Sequence, residues 1–131
     1  MVIVDSTVWI DFLAARASPE TLFVKKEFAG RNIGLADLIL CEVLQGLRDE
    51  ASFERIRQLL TMLPVLDTGG AELAVASARN YRMLRAKGIT VRKTIDGLIA
   101  TFCIEHRHSL LHNDRDYDPF EEHLGLRVVH P

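Results

Sequence analysis

Short apolar, β-branched runs alternate along this chain with longer stretches in which apolar residues return every three or four positions. Val2-Ile-Val4 reads as a strand buried on both faces. Ser6 and Thr7 then offer capping hydroxyls, and Val8 to Leu13 continues as helix. Ser18-Pro19-Glu20 opens a second helix, with proline at a tolerated first position, running to about Ala29 before Gly30. Ile33 to Ala36 predicts a second strand, Leu38 to Leu47 a helix closed near Gly46, Ala51 to Leu60 an amphipathic helix, and Leu63 to Leu66 a third strand. Gly69-Gly70 breaks the chain ahead of a long helix from Ala71 to Ala86, which Gly88 stops. Thr94 is expected to cap a helix reaching about Glu105, and Ser109 to His112 and Leu126 to Val129 are the fourth and fifth strands.

Short strands alternating with helices predict an α/β fold, a parallel sheet covered by helices on both faces. Such sheets bind ligands beyond the carboxyl ends of their strands, so chemical residues should directly follow strands. At 131 residues the chain is expected to be one domain, residues 1–131. The formal charge of -2 does not announce a nucleic-acid binder by itself. Two cysteines, Cys41 and Cys103, lie in apolar helical runs and read as reduced core thiols, which excludes a disulfide scaffold. Asp5 ends the first apolar run far short of a signal-peptide core or a membrane span, so a soluble intracellular protein is expected.

The acidic residues change the picture. Asp5 directly follows the first strand, and Asp114 lies two residues beyond the fourth, in His112-Asn-Asp-Arg-Asp116. Glu42 falls about one turn into the helix after the second strand, and Asp96 in the first turn of the helix leading into the fourth. Each has an ordinary explanation: Asp5 as a helix cap, Asp96 as a complement to the helix dipole, Asp114 as turn chemistry. Glu42 resists one, because it interrupts the apolar stretch Leu40 to Leu44. Together, carboxylates packed at one sheet edge repel each other, which raises their pKa values and destabilises the fold unless something positive fills the gap. Oxygen-only donors favour Mg²⁺ or Mn²⁺, and the expected chemistry is phosphodiester hydrolysis.

Between Arg79 and Lys93 six cations occur with no acid among them, Arg82 included. A basic lip beside an acidic pocket suits RNA, with Arg92 and Lys93 as first candidates for contact and Arg115 and Arg82 next. Trp9, Phe12 and Leu13, extended by Leu44 and Leu47, form an apolar stripe that reads as core packing or as a groove for a partner helix. His106, His108 and His112 lack a thiolate pair and do not predict zinc.

Four segments carry a family resemblance. Val2-Ile-Val-Asp-Ser-Thr-Val-Trp-Ile-Asp-Phe-Leu13 resembles the opening of a PIN-domain toxin of the VapC type. Cys41-Glu-Val-Leu-Gln-Gly46, Thr94-Ile-Asp-Gly-Leu-Ile-Ala100 and Leu111-His-Asn-Asp-Arg-Asp-Tyr-Asp-Pro-Phe120 resemble that family's further acidic motifs, in order and with similar spacing. The resemblance implies a three-layer PIN-like α/β fold with a parallel sheet of order 3-2-1-4-5. It implies an Mg²⁺- or Mn²⁺-dependent endoribonuclease, a homodimer neutralised by a VapB-like antitoxin. Asp5, Glu42, Asp96 and Asp114 take the positions of the acidic quartet, and Asp116 that of a further acidic ligand. Ser6 and Asn113 are expected to support the carboxylates by hydrogen bonding. Gly97 departs from good helix chemistry at a cost of roughly 1 kcal/mol, which a close approach of backbone to ligand would explain.

A haloacid-dehalogenase-like phosphoesterase also begins with a strand ending in Asp, but it needs a second Asp two residues on, where this chain has Thr7. A receiver domain needs a Lys after a late strand, and none follows here. A purely binding module gains nothing from mutual carboxylate repulsion.

Overall fold

A computed structural model describes the whole chain, residues 1–131. Its strands are β1 (Val2–Val4), β2 (Ile33–Ala36), β3 (Val65–Leu66), β4 (Ser109–Leu111) and β5 (Arg127–Val128). Every pairing is parallel and the order is 3-2-1-4-5, as expected. Helices α1 (Ser6–Leu13), α2 (Pro19–Glu27), α3 (Asp37–Gln45), α4 (Glu50–Leu60), α5 (Gly70–Ala86), α6 (Thr94–Glu105) and α7 (Asp118–Leu124) flank the sheet. No helix is long and apolar enough to cross a membrane.

The unbroken apolar runs of the central strands follow from this covering. Ile3, Val4, Leu35, Leu110 and Leu111 are all fully buried. The edge strands are shorter than the sequence pattern predicts. Pro64 has no N–H to give to a ladder, so although its carbonyl accepts from the Leu35 N–H at 2.9 Å, β3 proper begins only at Val65.

The chain runs from β1 outward to β2 and β3, then returns to the far side of β1 as β4. Strand order therefore reverses between β1 and β4, and the crevice at their carboxyl ends is the expected ligand site. The Asp5 N–H donates to the Leu111 carbonyl at 2.9 Å, which extends the β1–β4 ladder one residue into that crevice.

Several local expectations are corrected. Cys41 is exposed and only Cys103 is a core thiol; burial pushes the latter up to about 12. The N-cap of α6 is Lys93 rather than Thr94, and no side chain caps it. Gly97 answers to packing and not to a ligand: a Cβ there would lie 3.3 Å from the Ser77 hydroxyl of α5. Trp9 is wholly buried, packed edge-on against Phe12 and Phe28 with ring centroids 5.8 and 6.3 Å away, so it belongs to the core and not to a docking stripe.

Candidate active site

Four elements deliver acids to the crevice. Asp5 is the residue after β1 and the N-cap of α1, where its Oδ2 accepts from the Thr7 N–H at 3.1 Å and from the Thr7 hydroxyl at 2.7 Å. Asp96 stands in the first turn of α6, and Glu42 lies further along α3. Asp114 N-caps a short 3₁₀ turn, Arg115–Tyr117, through an N–H bond from Asp116 at 2.9 Å. The capping and turn roles of Asp5 and Asp114 are thus real, and compatible with a place in the cluster.

One ligand oxygen from each of Asp96, Asp114 and Asp116 lies within 4.8 Å of the other two, close enough to share one cation. Asp116, expected as an outer ligand, therefore stands inside the tightest trio, while Asp5 and Glu42 border it. Asp5 is only 2% exposed and Asp96 5%. Burial first, then the charges of Asp5 and Asp114, pushes Asp96 up to about 6. Burial first, then Asp5 and Asp96, raises Glu42, while the Ser6 hydroxyl and Lys93 pull it back. Glu42 Oε1 and Asp96 Oδ2 are buried with no hydrogen-bond partner. A buried carboxylate oxygen without a donor is costly, and a divalent cation in the cluster would offset the repulsion that raises both groups. The donor set therefore fits a hard cation.

The remaining predicted residues divide. Ser6 is buried beside Glu42. Asn113 takes part through its backbone, which donates to the Thr7 hydroxyl at 3.1 Å, and its exposed side chain makes no hydrogen bond. Lys93 is near enough that its charge lowers both Asp96 and Glu42. Arg92 and Arg115 are exposed on the flanking segments, and Arg82 lines a cavity of about 400 Å³ with Thr94 and Gly97. None of these four cations is engaged in an ion pair.

His112 accepts from the Asp114 N–H at Nδ1, 3.1 Å, and burial lowers its pKa, so it stands as a neutral support for the acidic turn. His108 precedes β4 and His112 follows it, about 13 Å apart at strand rise, so the three histidines form no common site.

The model of the PIN domain matches residues 2–122. The chain belongs to the PIN-domain family. It is 32% identical to ribonuclease VapC11 of Mycobacterium tuberculosis over 98% of each chain. A VapC ribonuclease of Mycobacterium bovis matches at the same identity, again over 98% of each chain. Among solved structures, VapBC2 from Rickettsia felis bound to a DNA fragment from its promoter has a TM-score of 0.78 at 16% identity, over 98% of both chains, a likeness of fold.

In this PIN domain the sequence pattern located the acids and missed two hydroxyls that hold them. Thr7 bonds Asp5 and ties it to the loop after β4 through Asn113. Tyr117, fully buried, donates to Asp5 Oδ1 at 2.8 Å and lies 3.3 Å from Asp96 Oδ1. The available signal was the three-residue spacing from Asp114 to Tyr117, which one turn of 3₁₀ helix places on the same side, toward the crevice. Thr7 also occupies the position where a haloacid-dehalogenase-like enzyme needs its second Asp, and its hydroxyl is engaged on both sides.

Proposed function

We propose that this PIN domain, acting as a single unit over residues 1–131, is a divalent-metal-dependent endoribonuclease and the toxin of a VapBC-type pair. The observation that carries the reading is the pair of buried, partnerless oxygens on Glu42 and Asp96 inside a cluster of like charges. Asp96, Asp114 and Asp116 would form the core of the ion's site, with Asp5, tied to Asp96 through Tyr117, and Glu42 as further carboxylate ligands. The all-oxygen donor set favours Mg²⁺ or Mn²⁺. When bound, such a cation neutralises the cluster, orients the scissile phosphate and activates water.

The chain's own groups do the rest. Thr7 and Tyr117 fix the Asp5 carboxylate from its two sides. Lys93, unpaired at the start of α6, attracts the RNA backbone toward an otherwise repulsive acidic pocket, with Arg92, Arg115 and Arg82 widening the basic rim. A substrate of this kind places the work in the cytoplasm.

The antitoxin fits a groove of about 340 Å³ between α1 and α2. Phe12, Ala15, Ala17 and the 61% exposed Leu22 give it an apolar floor, and Lys25 gives it a basic edge. An amphipathic helix with acidic flanks is the complementary ligand. For a homodimer, one outer face of α5 is available, with Val75 and Met83 exposed beside Arg79 and with Glu72 one turn before Val75.

Purified protein incubated with structured RNA should cleave it only with Mg²⁺ or Mn²⁺ present, and Asp5→Asn and Asp96→Asn should each abolish cleavage. Metal-independent cleavage, or equal cleavage of DNA, would overturn the reading.

A further inference from the structure

Tyr117 does more than fill space. It has no exposed surface and sits in the 3₁₀ turn directly after Asp114 and Asp116. A phenylalanine there would fill almost the same volume, so packing does not account for the hydroxyl. That hydroxyl points into the acidic cluster, 2.8 Å from Asp5 Oδ1 and 3.3 Å from Asp96 Oδ1. A phenol carries one proton, and two carboxylate oxygens share it. Burial, reinforced by Asp5 and Asp96, pushes the phenol far above its ordinary range, so it stays protonated.

The two carboxylates are held differently. Asp5 is gripped on both oxygens, Oδ2 by the Thr7 N–H and hydroxyl and Oδ1 by Tyr117. Asp96 touches the phenol through Oδ1 only, and its buried Oδ2 has no partner. One hydroxyl thus fixes the separation of two groups that repel each other and leaves one oxygen bare.

We propose that Tyr117 is a positioning residue whose hydroxyl holds Asp5 and Asp96 together before a cation arrives, so that the ion meets a preset pair. This rests on the metal-dependent reading above. Two buried carboxylates without such a bridge would swing apart under their own repulsion, and the ion would have to gather them against that force.

The test uses the full chain and Mn²⁺ alone. Mn²⁺ affinity is measured by electron paramagnetic resonance for the unsubstituted protein, Tyr117→Phe and, as a control on the other tyrosine, Tyr81→Phe. Thermal unfolding is followed in EDTA and at fixed Mn²⁺. Tyr117→Phe should weaken Mn²⁺ binding by about tenfold, as loss of an outer support to a ligand does. The Mn²⁺-induced stabilisation should shrink by the corresponding ~1.4 kcal/mol. RNA cleavage should recover toward the unsubstituted rate as Mn²⁺ is raised, and Tyr81→Phe should follow the unsubstituted protein throughout.

A merely structural hydroxyl would lower the melting temperature in EDTA and leave both the affinity and the Mn²⁺ increment unchanged. That result, or tighter Mn²⁺ binding, overturns the proposal. If Tyr117→Phe does not fold in plain buffer, the same titration is run in trimethylamine oxide, which favours the compact state without occupying the site. Failure of the unsubstituted protein to bind Mn²⁺ would bring down the proposed function along with the inference. Binding by the unsubstituted protein with equal binding by Tyr117→Phe would remove the inference alone.

Discussion

Asp96→Asn should stabilise the metal-free protein while destroying its activity. The carboxyl rises from 3.8 to about 6 because burial, then Asp5 and Asp114, disfavour its ionised form. The sign follows from proton linkage. Between those two pH values the folded state keeps a proton that the unfolded chain has lost, so stability falls as pH rises. The penalty is absent below about pH 4, grows through the intervening window and is complete above about pH 6. At ~1.4 kcal/mol for each tenfold change in proton affinity, the full cost is about 3 kcal/mol, and nearer half of that where water reaches the cleft and screens the charges. Asparagine keeps the shape, removes the charge and can donate to Asp5 or Asp114. For a domain of this size, ~1 kcal/mol moves the melting temperature by roughly 3–4 °C. In EDTA at pH 7.5, Asp96→Asn should therefore melt about 5–10 °C above the unsubstituted protein, and the gap should close as pH is lowered toward 4. In saturating Mn²⁺ the order should reverse, because only the unsubstituted protein gains from the ion. The assay is differential scanning fluorimetry across pH in both media. A destabilised Asp96→Asn at pH 7.5 in EDTA, or an advantage that does not change with pH, would refute the claim that the cluster is held under repulsion.

Two further outcomes test the site's surroundings. Lys93→Ala, measured on uncleaved RNA in an Asp5→Asn background, should weaken binding severalfold and reduce the magnitude of the log–log salt slope by about 1, as loss of one phosphate contact does; an unchanged slope would take Lys93 off the RNA path. Gly97→Ala should lower stability alone, because its Cβ would crowd the Ser77 hydroxyl at 3.3 Å, yet raise it by up to ~1 kcal/mol in a Ser77→Ala background, where only the helix-propensity gain remains; thermal melts showing the same sign in both backgrounds would reject the packing account.

The acids were legible in the sequence because sheet topology does most of the work of gathering them. A parallel sheet that reverses between β1 and β4 delivers whatever follows Val4 and Leu111 to one crevice, so Asp5 and Asp114 could be paired from their place after apolar runs. Asp96 needed only the helical start that leads back to the same edge, and Glu42 the break it makes in the apolar run of α3. Side-chain hydrogen bonds obey no such periodicity. Thr7 and Ser6 are adjacent hydroxyls with the same local signal, yet backbone direction at the head of α1 sends Thr7 to Asp5 and leaves Ser6 beside Glu42. Gly97 misled because the reason for it lies on α5, in Ser77, twenty residues back, where no pattern local to Asp96 reaches. Cys41 misled in the opposite way: its neighbours are apolar, but at α3's pitch it falls on the face turned from the core, next to Glu42, the acid that α3 brings to the crevice. The fold placed the charges, while the contacts that make those charges tolerable were chosen one atom at a time. For that reason Tyr117, the least predictable residue of the site, is the one whose removal separates a preset metal site from a merely acidic one.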